Sequence, residues 1–325
     1  MAHSGAPLPR GSALLAAVLV GCLTAAAPSA ADGSGRGGHE VRATAQLRIV
    51  TYNTGSRLRP GTAMKDLATL MSKHPDVVSL QELASPEKRA RIREKYVACD
   101  RCRWGAKMPR RPVPGETPVL YRSDRFDLVG SGSMEVTPPT YVGAAGAGPR
   151  TISAKYVNWV HLRDLRTGRP LFVLNNHAVP SVEDRSGGPN HRYPRRLKLF
   201  RQHMNSLQDL VDRITRKPWG LVFVTGDLNV NFRRDRVLAP PMFPYRKLGE
   251  VGLRSSYQAL HAPRVGTHSL PSGVDVRLID YVYFLPRRSI EPSAQRVLRG
   301  FASDHRPLVV DFDVKISPHV RAAAS

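Results

Sequence analysis

The sequence predicts a layered α/β domain, and the order of its first elements is the strongest reason. An apolar run at Leu47–Asn53 is followed by a helical pattern at Thr62–Lys73 and a second apolar run at Pro75–Glu82. Further short apolar runs and one long amphipathic segment continue to the C-terminus. Strands that alternate with helical patterns in this way are typical of layered α/β proteins.

The later elements continue this pattern. The remaining predicted strands, in chain order, are Thr117–Asp124, Tyr156–Asp164, Arg169–His177, Leu221–Asp227, Val276–Phe284 and Pro307–Val314. Arg195–Ile214 predicts the longest helix, because its apolar residues recur at the spacing of one helix face. Loops rich in glycine and proline, at Val142–Pro149 and Leu238–Pro244, separate the elements. We find no internal repeat, so we predict one folded domain.

The N-terminus predicts export. Residues 12–27 are uninterruptedly small or apolar, and the small residues at 28–31 permit cleavage. The predicted division is a signal peptide at 1–31, a flexible linker at 32–46, the domain at 47–315 and a tail at 316–325. As an alternative, Leu19–Cys22 resembles a bacterial lipobox, which would anchor the protein through Cys22. We expect free secretion.

The two cysteines beyond the predicted signal peptide form a C-x-x-C pair. Cys99 and Cys102 have no second C-x-x-C for a zinc site and no thioredoxin-like pattern around them. In an exported protein such a pair predicts a local disulfide.

The charge of the chain favours an anionic partner. Its 49 Lys+Arg outnumber 26 Asp+Glu, giving a net charge of +23. Nucleic acid, an anionic membrane and a phosphorylated substrate all fit this charge, as does a basic soluble protein without such a partner. The clusters Arg101–Pro112 and His191–Arg201 are candidates for a phosphate-backbone track, although a solvated helix face or loop explains them as well.

Polar residues stand at the ends of nearly all strong predicted strands. A buried acid or amide costs free energy unless it is paired or functional. Strand ends converge on one rim of a layered α/β domain, so we expect these side chains to meet in one cleft. The residues are Asn53, Glu82, His177, Asp227, Asn229, Asp280, Asp304 and His305.

The motifs around these residues resemble those of the endonuclease/exonuclease/phosphatase superfamily. "YN", "SLQE", "NNH", "GDLN", "IDYV" and "SDHRP" occur in that superfamily's order, from Leu47 to about Val314. The superfamily includes DNase I-like nucleases, secreted sphingomyelinases and inositol polyphosphate phosphatases. The resemblance implies a four-layer α/β sandwich, with two packed, largely antiparallel sheets flanked by helices. It also implies hydrolysis of a phosphoester by water with a divalent metal.

The resemblance assigns three residues to the metal. Glu82 resembles the principal metal carboxylate, Asn53 would join or position that shell through its amide oxygen, and Asp304 would bind metal or hold other site groups. We expect Mg²⁺, since a hard cation prefers carboxylates and waters, with Mn²⁺ or Ca²⁺ as alternatives.

The resemblance assigns the reaction itself to five residues. Asp227 would orient or deprotonate the attacking water, and Asn229 would point its amide at the same phosphate. His305 would bind the phosphate or transfer a proton, with Asp280 fixing its tautomer. His177 matches a second active-site histidine of the nuclease and sphingomyelinase branches.

Two further residues complete the predicted site. Arg150 occupies a place where superfamily members often have a phosphate-binding residue. Glu116 is a candidate to orient His177, but we expect it to be an exposed loop residue.

The resemblance leaves several substrate classes open. We expect a monomeric, secreted nuclease without a stable protein partner, acting on DNA or RNA. The alternatives are a sphingomyelinase-type enzyme acting on choline or anionic phospholipid, a phosphoinositide phosphatase, and an inactive binding protein. The lipid alternative needs an exposed apolar loop, for which Ala239–Arg246 is the candidate.

Overall fold

The computed structural model describes residues 43–143, 150–216, 220–269 and 275–322. The predicted signal peptide, the lipobox at Cys22 and most of the predicted linker lie outside the described residues. Within the described ranges, no helix is both long and apolar enough to cross a membrane.

Strands and helices alternate along the described chain. The strands are β1 Thr44–Asn53, β2 Val77–Gln81, β3 Trp104–Lys107, β4 Val119–Arg122, β5 Phe126–Thr137, β6 Thr140–Tyr141, β7 Thr151–Ile152, β8 Lys155–Asp164, β9 Pro170–His177, β10 Leu221–Asp227, β11 Arg254–Ser255, β12 His268–Ser269, β13 Asp275–Arg277, β14 Asp280–Phe284, β15 Ile290–Val297 and β16 Leu308–Lys315. The α-helices are α1 Pro60–Met71, α2 Pro86–Ile92, α3 Pro194–Thr215, α4 Phe232–Leu238, α5 Pro244–Gly249, α6 Ser256–Leu260 and α7 Pro318–Ala322.

The predicted strands and helices are present, with one strand divided and several further elements that were not predicted. The short elements β3, β6, β11, β12, α2, α4, α5 and α6 are among these. The predicted strand at Val276–Phe284 is divided, because β13 ends at Arg277 and β14 begins at Asp280. β5 and β15 were not predicted, since each is half exposed and interrupted by glycine or proline residues. Helix α7 lies within the predicted tail.

Twelve of these strands form two sheets of six strands each. The first sheet has the order β15-β16-β1-β2-β4-β3, and the second β11-β14-β10-β9-β8-β5. Each sheet has one parallel pair at its centre, β1 with β2 and β9 with β10, and is otherwise antiparallel. The predicted largely antiparallel arrangement is confirmed.

The sheets pack face to face, with helices outside. Phe223 of the second sheet meets Phe312 of the first with ring centres 5.1 Å apart. Leu67 and Leu70 of α1 pack on the outer face of the first sheet, while α3 buries its apolar face on the second. This is the predicted four-layer α/β sandwich.

The registers of the central strands bring the polar strand ends to one edge. Asp227 at the end of β10 is paired with His177 of β9 on one side and with Asp280 of β14 on the other. Gly226 precedes Asp227 with φ +134°, and a Cβ there would lie 1.9 Å from the Asn176 carbonyl oxygen. Only glycine permits this close approach of the strands.

A short segment before β3 carries the predicted disulfide. The structure joins Cys99 and Cys102 by a disulfide bond. The bond closes a turn after a π-helical segment at Arg93–Val97.

Candidate active site

Glu82 stands immediately after β2, with its carboxylate fixed by two hydrogen bonds. Its backbone has φ +61°, a left-handed conformation uncommon for a non-glycine residue. Asn53 Nδ2 donates to Glu82 Oε1 at 3.1 Å, and the Ser56 N–H donates to Oε2. Burial raises the pKa of Glu82, but His177 and these hydrogen bonds outweigh burial and lower it. Glu82 is therefore held as a carboxylate.

Asn53 connects this carboxylate to Asp227. Its Nδ2 also donates to Asp227 Oδ2 at 3.1 Å, while its Oδ1 accepts from the Gly55 N–H at 3.0 Å. The amide oxygen therefore faces the backbone, and the amide nitrogen faces the two acids. The expectation that Asn53 joins or positions the metal shell stays a prediction, and the bonds from its amide nitrogen to the two carboxylates fit the positioning role.

Asp227 lies at the centre of the site and is almost fully buried. Its Oδ1 accepts from the Asn229 N–H at 2.8 Å. Its Oδ2 faces two imidazoles, with His177 Nε2 at 3.6 Å and His305 Nε2 at 3.7 Å. Burial raises the pKa of Asp227, although His305 opposes the shift. A carboxylate with a raised pKa accepts a proton more readily than an ordinary one.

His305 forms one imidazole–carboxylate pair. Its Nδ1 lies 2.9 Å from Asp280 Oδ2, and Asp280 is completely buried. Burial lowers the pKa of His305, but Asp280 and Asp227 outweigh burial and raise the pKa to about 10. His305 thus carries a proton on each nitrogen at neutral pH, with Nε2–H directed toward Asp227.

His177 forms a second pair of the same kind. Its Nδ1 lies 2.7 Å from Glu116 Oε1, and Lys155 Nζ lies 3.2 Å from the same oxygen. Burial raises the pKa of Glu116, but Lys155 and His177 outweigh burial and lower the pKa to about 2. The expectation that Glu116 is an exposed loop residue is wrong: the β8 residue Lys155 and β9 residue His177 enclose it.

The other predicted residues are placed less centrally. Asn229 has φ +56°, and its Nδ2 donates to the Ala178 carbonyl at 3.1 Å. The Asp304 side chain is 64% exposed and lies 3.8 Å from His268 Nε2. Arg150 is exposed immediately before β7, and among the described residues no side-chain contact joins it to the site.

His268 is a site residue that the sequence did not reveal. Its ring meets that of His305 edge to face, with centres 4.7 Å apart. Burial lowers its pKa to about 4, helped by the neighbouring His305. His268 lies in the two-residue strand β12, which is too short to give a strand-end signal in the sequence.

Glu82 and Asp304 are candidate carboxylates for a divalent cation. Glu82 and Asp304 line the same cavity of about 390 Å³, together with Ser56 and Ser303. Mg²⁺ is usually held by one or two carboxylates and keeps several waters, and this cavity offers that donor set. Two other groups have ligand atoms close enough to share an ion: His268, Asp304 and His305, and Asp227, Asp280 and His305. Both depend on His305, whose Nδ1 already binds Asp280.

The loop proposed to dock on lipid is packed inside the protein. Phe243 in Ala239–Arg246 is completely buried, and its ring meets Phe200 of α3. Met242 and Tyr245 pack against the same core. The expectation that this segment exposes apolar side chains is wrong, because α4 and α5 fold it against α3.

Comparison with proteins of known structure identifies the fold. An endonuclease/exonuclease/phosphatase family protein from Bacteroides thetaiotaomicron superposes with a TM-score of 0.56 at 17% identity, over 86% of this chain and 98% of that one. D. rerio TDP2, complexed with single strand DNA product, gives 0.57 at 14% identity over 82% and 98%. The human Nocturnin catalytic domain, with bound sulfate, gives 0.55 at 16% over 83% and 95%.

These likenesses define the class of fold. The chain has the DNase I-like fold of the endonuclease/exonuclease/phosphatase proteins, as its motifs predicted. No family model matches the sequence, and no curated protein matches it. At these identities the likeness establishes the fold, and the chemistry has to be argued from the site.

Proposed function

We propose that the protein is a divalent-metal-dependent phosphodiesterase that hydrolyses nucleic acid. The observation that carries the proposal is the convergence of two imidazole–carboxylate pairs on one buried acid. His177 and His305 each place Nε2 within 3.7 Å of Asp227 Oδ2, and Glu82 lies beside them. A structural role explains none of these contacts, because packing alone would favour apolar side chains here.

The residues divide the reaction between them. Asp227 accepts the proton of the attacking water as the new phosphorus–oxygen bond forms. His305 donates its Nε2 proton to the leaving oxygen as the old bond breaks, and Asp280 stabilises the imidazolium before transfer. The 3.6 and 3.7 Å gaps are longer than hydrogen bonds, so both imidazoles are available to oxygen atoms of a substrate. The Asn229 N–H donates to Asp227 Oδ1 and so orients that carboxylate.

The cavity between Glu82 and Asp304 is the proposed metal site. A bound Mg²⁺, or Mn²⁺ or Ca²⁺ in its place, would neutralise charge on the phosphate. Asn53 keeps Glu82 and Asp227 at a fixed separation, since one amide nitrogen binds both carboxylates. Ser56 and Asn53 thereby hold the ligand carboxylate ready before an ion arrives.

Nucleic acid is favoured over lipid by charge and by packing. The net charge of +23 fits a polyanion, and Phe243 of the candidate lipid loop is buried. TDP2 was found with single strand DNA product, which supports this choice by analogy. A phosphomonoester is the second candidate, because a Bacteroides thetaiotaomicron mannosyl-6-phosphatase has the same fold, with a TM-score of 0.53.

The proposal includes export of the protein. The apolar N-terminal run and the small residues after it support a signal peptide. The Cys99–Cys102 disulfide fits an oxidising compartment. N-terminal sequencing of the secreted protein tests this part: a start near residue 32 supports cleavage, and a lipid-modified Cys22 refutes free secretion.

A parallel activity assay tests the function. Purified domain is given plasmid DNA, RNA, sphingomyelin vesicles and mannose 6-phosphate, each with Mg²⁺ and with EDTA. We expect Mg²⁺-dependent cleavage of nucleic acid, and its loss in Asp227→Ala and His305→Ala while the circular dichroism spectrum stays native. Phosphocholine or free phosphate released without nucleic acid cleavage would contradict the nuclease assignment. Inactivity towards all four substrates would favour a binding role.

A further inference from the structure

An exposed tyrosine and an arginine form a platform beside the site. Tyr141 ends β6 and is 58% exposed, and it is the one aromatic ring among the large exposed apolar side chains of the described residues. The guanidinium of Arg195, in the first turn of α3, lies 5.8 Å from the ring centre. We call this pair the Tyr141–Arg195 platform.

Strand register places the platform at the catalytic edge of the second sheet. Asn158 of β8 is opposite Asn175 of β9, so Lys155 at the start of β8 lies level with the end of β9. The ion pair from Lys155 to Glu116, the partner of His177, agrees with this placement. The β6–β7 hairpin, which carries Tyr141, immediately precedes Lys155 in the chain.

The first turn of α3 also lies near this edge of the sheet. Arg196, next to Arg195, donates from Nη1 to the Pro180 carbonyl oxygen at 3.3 Å. Pro180 is three residues beyond His177, a reach of roughly 10 Å along an extended chain. Tyr141 and Arg195 are therefore both carried by segments that border His177.

The chemistry of the platform selects its occupant. An exposed tyrosine face stacks on any nucleobase, and an adjacent guanidinium binds the phosphate that follows the base. Arg150 is exposed beside the same hairpin, where its carbonyl oxygen accepts from the Val142 N–H. A choline headgroup would bring its cation against these arginines, so a nucleic acid strand fits and a choline lipid does not.

We propose that the Tyr141–Arg195 platform binds one base and its adjoining phosphate in a single-stranded nucleic acid. The scissile phosphate of the same strand would lie at Asp227. This inference rests on the proposed nuclease function and deepens it, because it names the form of the strand and the residues that hold it away from the reacting bond.

Binding measured without catalysis tests the platform. A fluorescein-labelled single-stranded 12-mer is titrated with each variant in EDTA, and fluorescence anisotropy is followed. We expect Tyr141→Ala to weaken binding about fivefold to tenfold, as loss of one exposed base stack does. Tyr141→Phe retains affinity because the ring face remains. Arg195→Ala weakens binding and lowers its salt dependence, since one phosphate contact is lost.

Matched control variants come from the opposite edge of the same sheet. Leu128 is 49% exposed and pairs with Leu162 near the far end of β5. Arg163 is exposed there too and is bound to Asp127. Leu128→Ala and Arg163→Ala remove comparable apolar surface and one positive charge, so we expect each to change affinity less than twofold.

A small diester separates failure of the platform from failure of the function. Bis(p-nitrophenyl) phosphate has no nucleobase or strand, so Tyr141→Ala should hydrolyse it at the wild-type rate. Wild-type cleavage of DNA with unchanged 12-mer binding by Tyr141→Ala would overturn the platform alone. Hydrolysis of the diester by a wild-type protein that neither binds nor cleaves the 12-mer would overturn the nuclease function. Weaker binding of Tyr141→Ala to sphingomyelin vesicles, with unchanged 12-mer binding, would overturn the nucleobase occupant.

Discussion

Replacement of Asp280 by asparagine isolates the electrostatic role of the His305 pair. The substitution keeps the size of the side chain but removes a completely buried charge 2.9 Å from His305 Nδ1. Two unit charges about 4 Å apart interact by about 4 kcal/mol at an effective dielectric constant near 20, equivalent to about 3 pKa units. The pKa of His305, about 10 with Asp280 present, should therefore fall to about 7.

Asp280→Asn should also change how the free energy of unfolding depends on pH. The folded pKa of His305 is raised, so its contribution to stability is complete below the unfolded value and is lost as pH rises through about 10. Asp280→Asn removes most of that contribution. The difference in free energy of unfolding between wild type and variant should therefore be large at pH 6 and shrink as pH approaches 10.

Three measurements follow from this substitution. The titration of the His305 ring is followed by nuclear magnetic resonance in metal-free protein, and urea unfolding is repeated across the pH range. Turnover with Mg²⁺ should fall by roughly 10³- to 10⁴-fold, as in other histidine–carboxylate pairs. A His305 pKa that stays near 10 in Asp280→Asn, or near-normal turnover, would refute the assigned pairing.

Three other substitutions test the remaining parts of the site and the core. Glu116→Gln should lower turnover by roughly 10²-fold or more, because His177 loses its buried partner. The exposed variant Glu135→Gln is the control, and equal rates in the two variants would contradict this role. Glu82→Gln should raise the Mg²⁺ concentration needed for activity at least tenfold in a metal titration. The surface variant Glu87→Gln should leave this concentration unchanged. The same result for Glu82→Gln would exclude Glu82 as the ligand. Phe223→Ala should lower the free energy of unfolding by about 3–5 kcal/mol in urea, and a loss below 1 kcal/mol would show that the sheets do not pack there.

Strand ends were predictable because their signal is local. A run of apolar residues that ends in Asp or Asn carries its own evidence, and Asp227 and Asp280 are paired across neighbouring strands in the structure. Glu116 ends a 3₁₀ turn at Pro114–Glu116 and His268 lies in the two-residue strand β12, so neither follows a long apolar run. Their importance depends on His177 and His305, which are distant in sequence and supply the contacts.

Contacts with distant parts of the chain decided the orientation of two further side chains. Asn53 was expected to join or position the metal shell, and its orientation is set by two carboxylates from different parts of the chain, which its amide nitrogen binds. Phe243 was expected on the surface, but packing against Phe200 buries it. In both cases the neighbours come from other parts of the chain.

The amino-acid sequence by itself determined the class of fold and the acids and histidines at the strand ends. Periodicity and strand-end polarity are properties of a few consecutive residues, so they can be read without coordinates. Only the tertiary structure decided which carboxylate serves which histidine, Asp280 for His305 and Glu116 for His177. That choice depends on sheet register and on burial, which lowers the effective dielectric and makes each pairing strong.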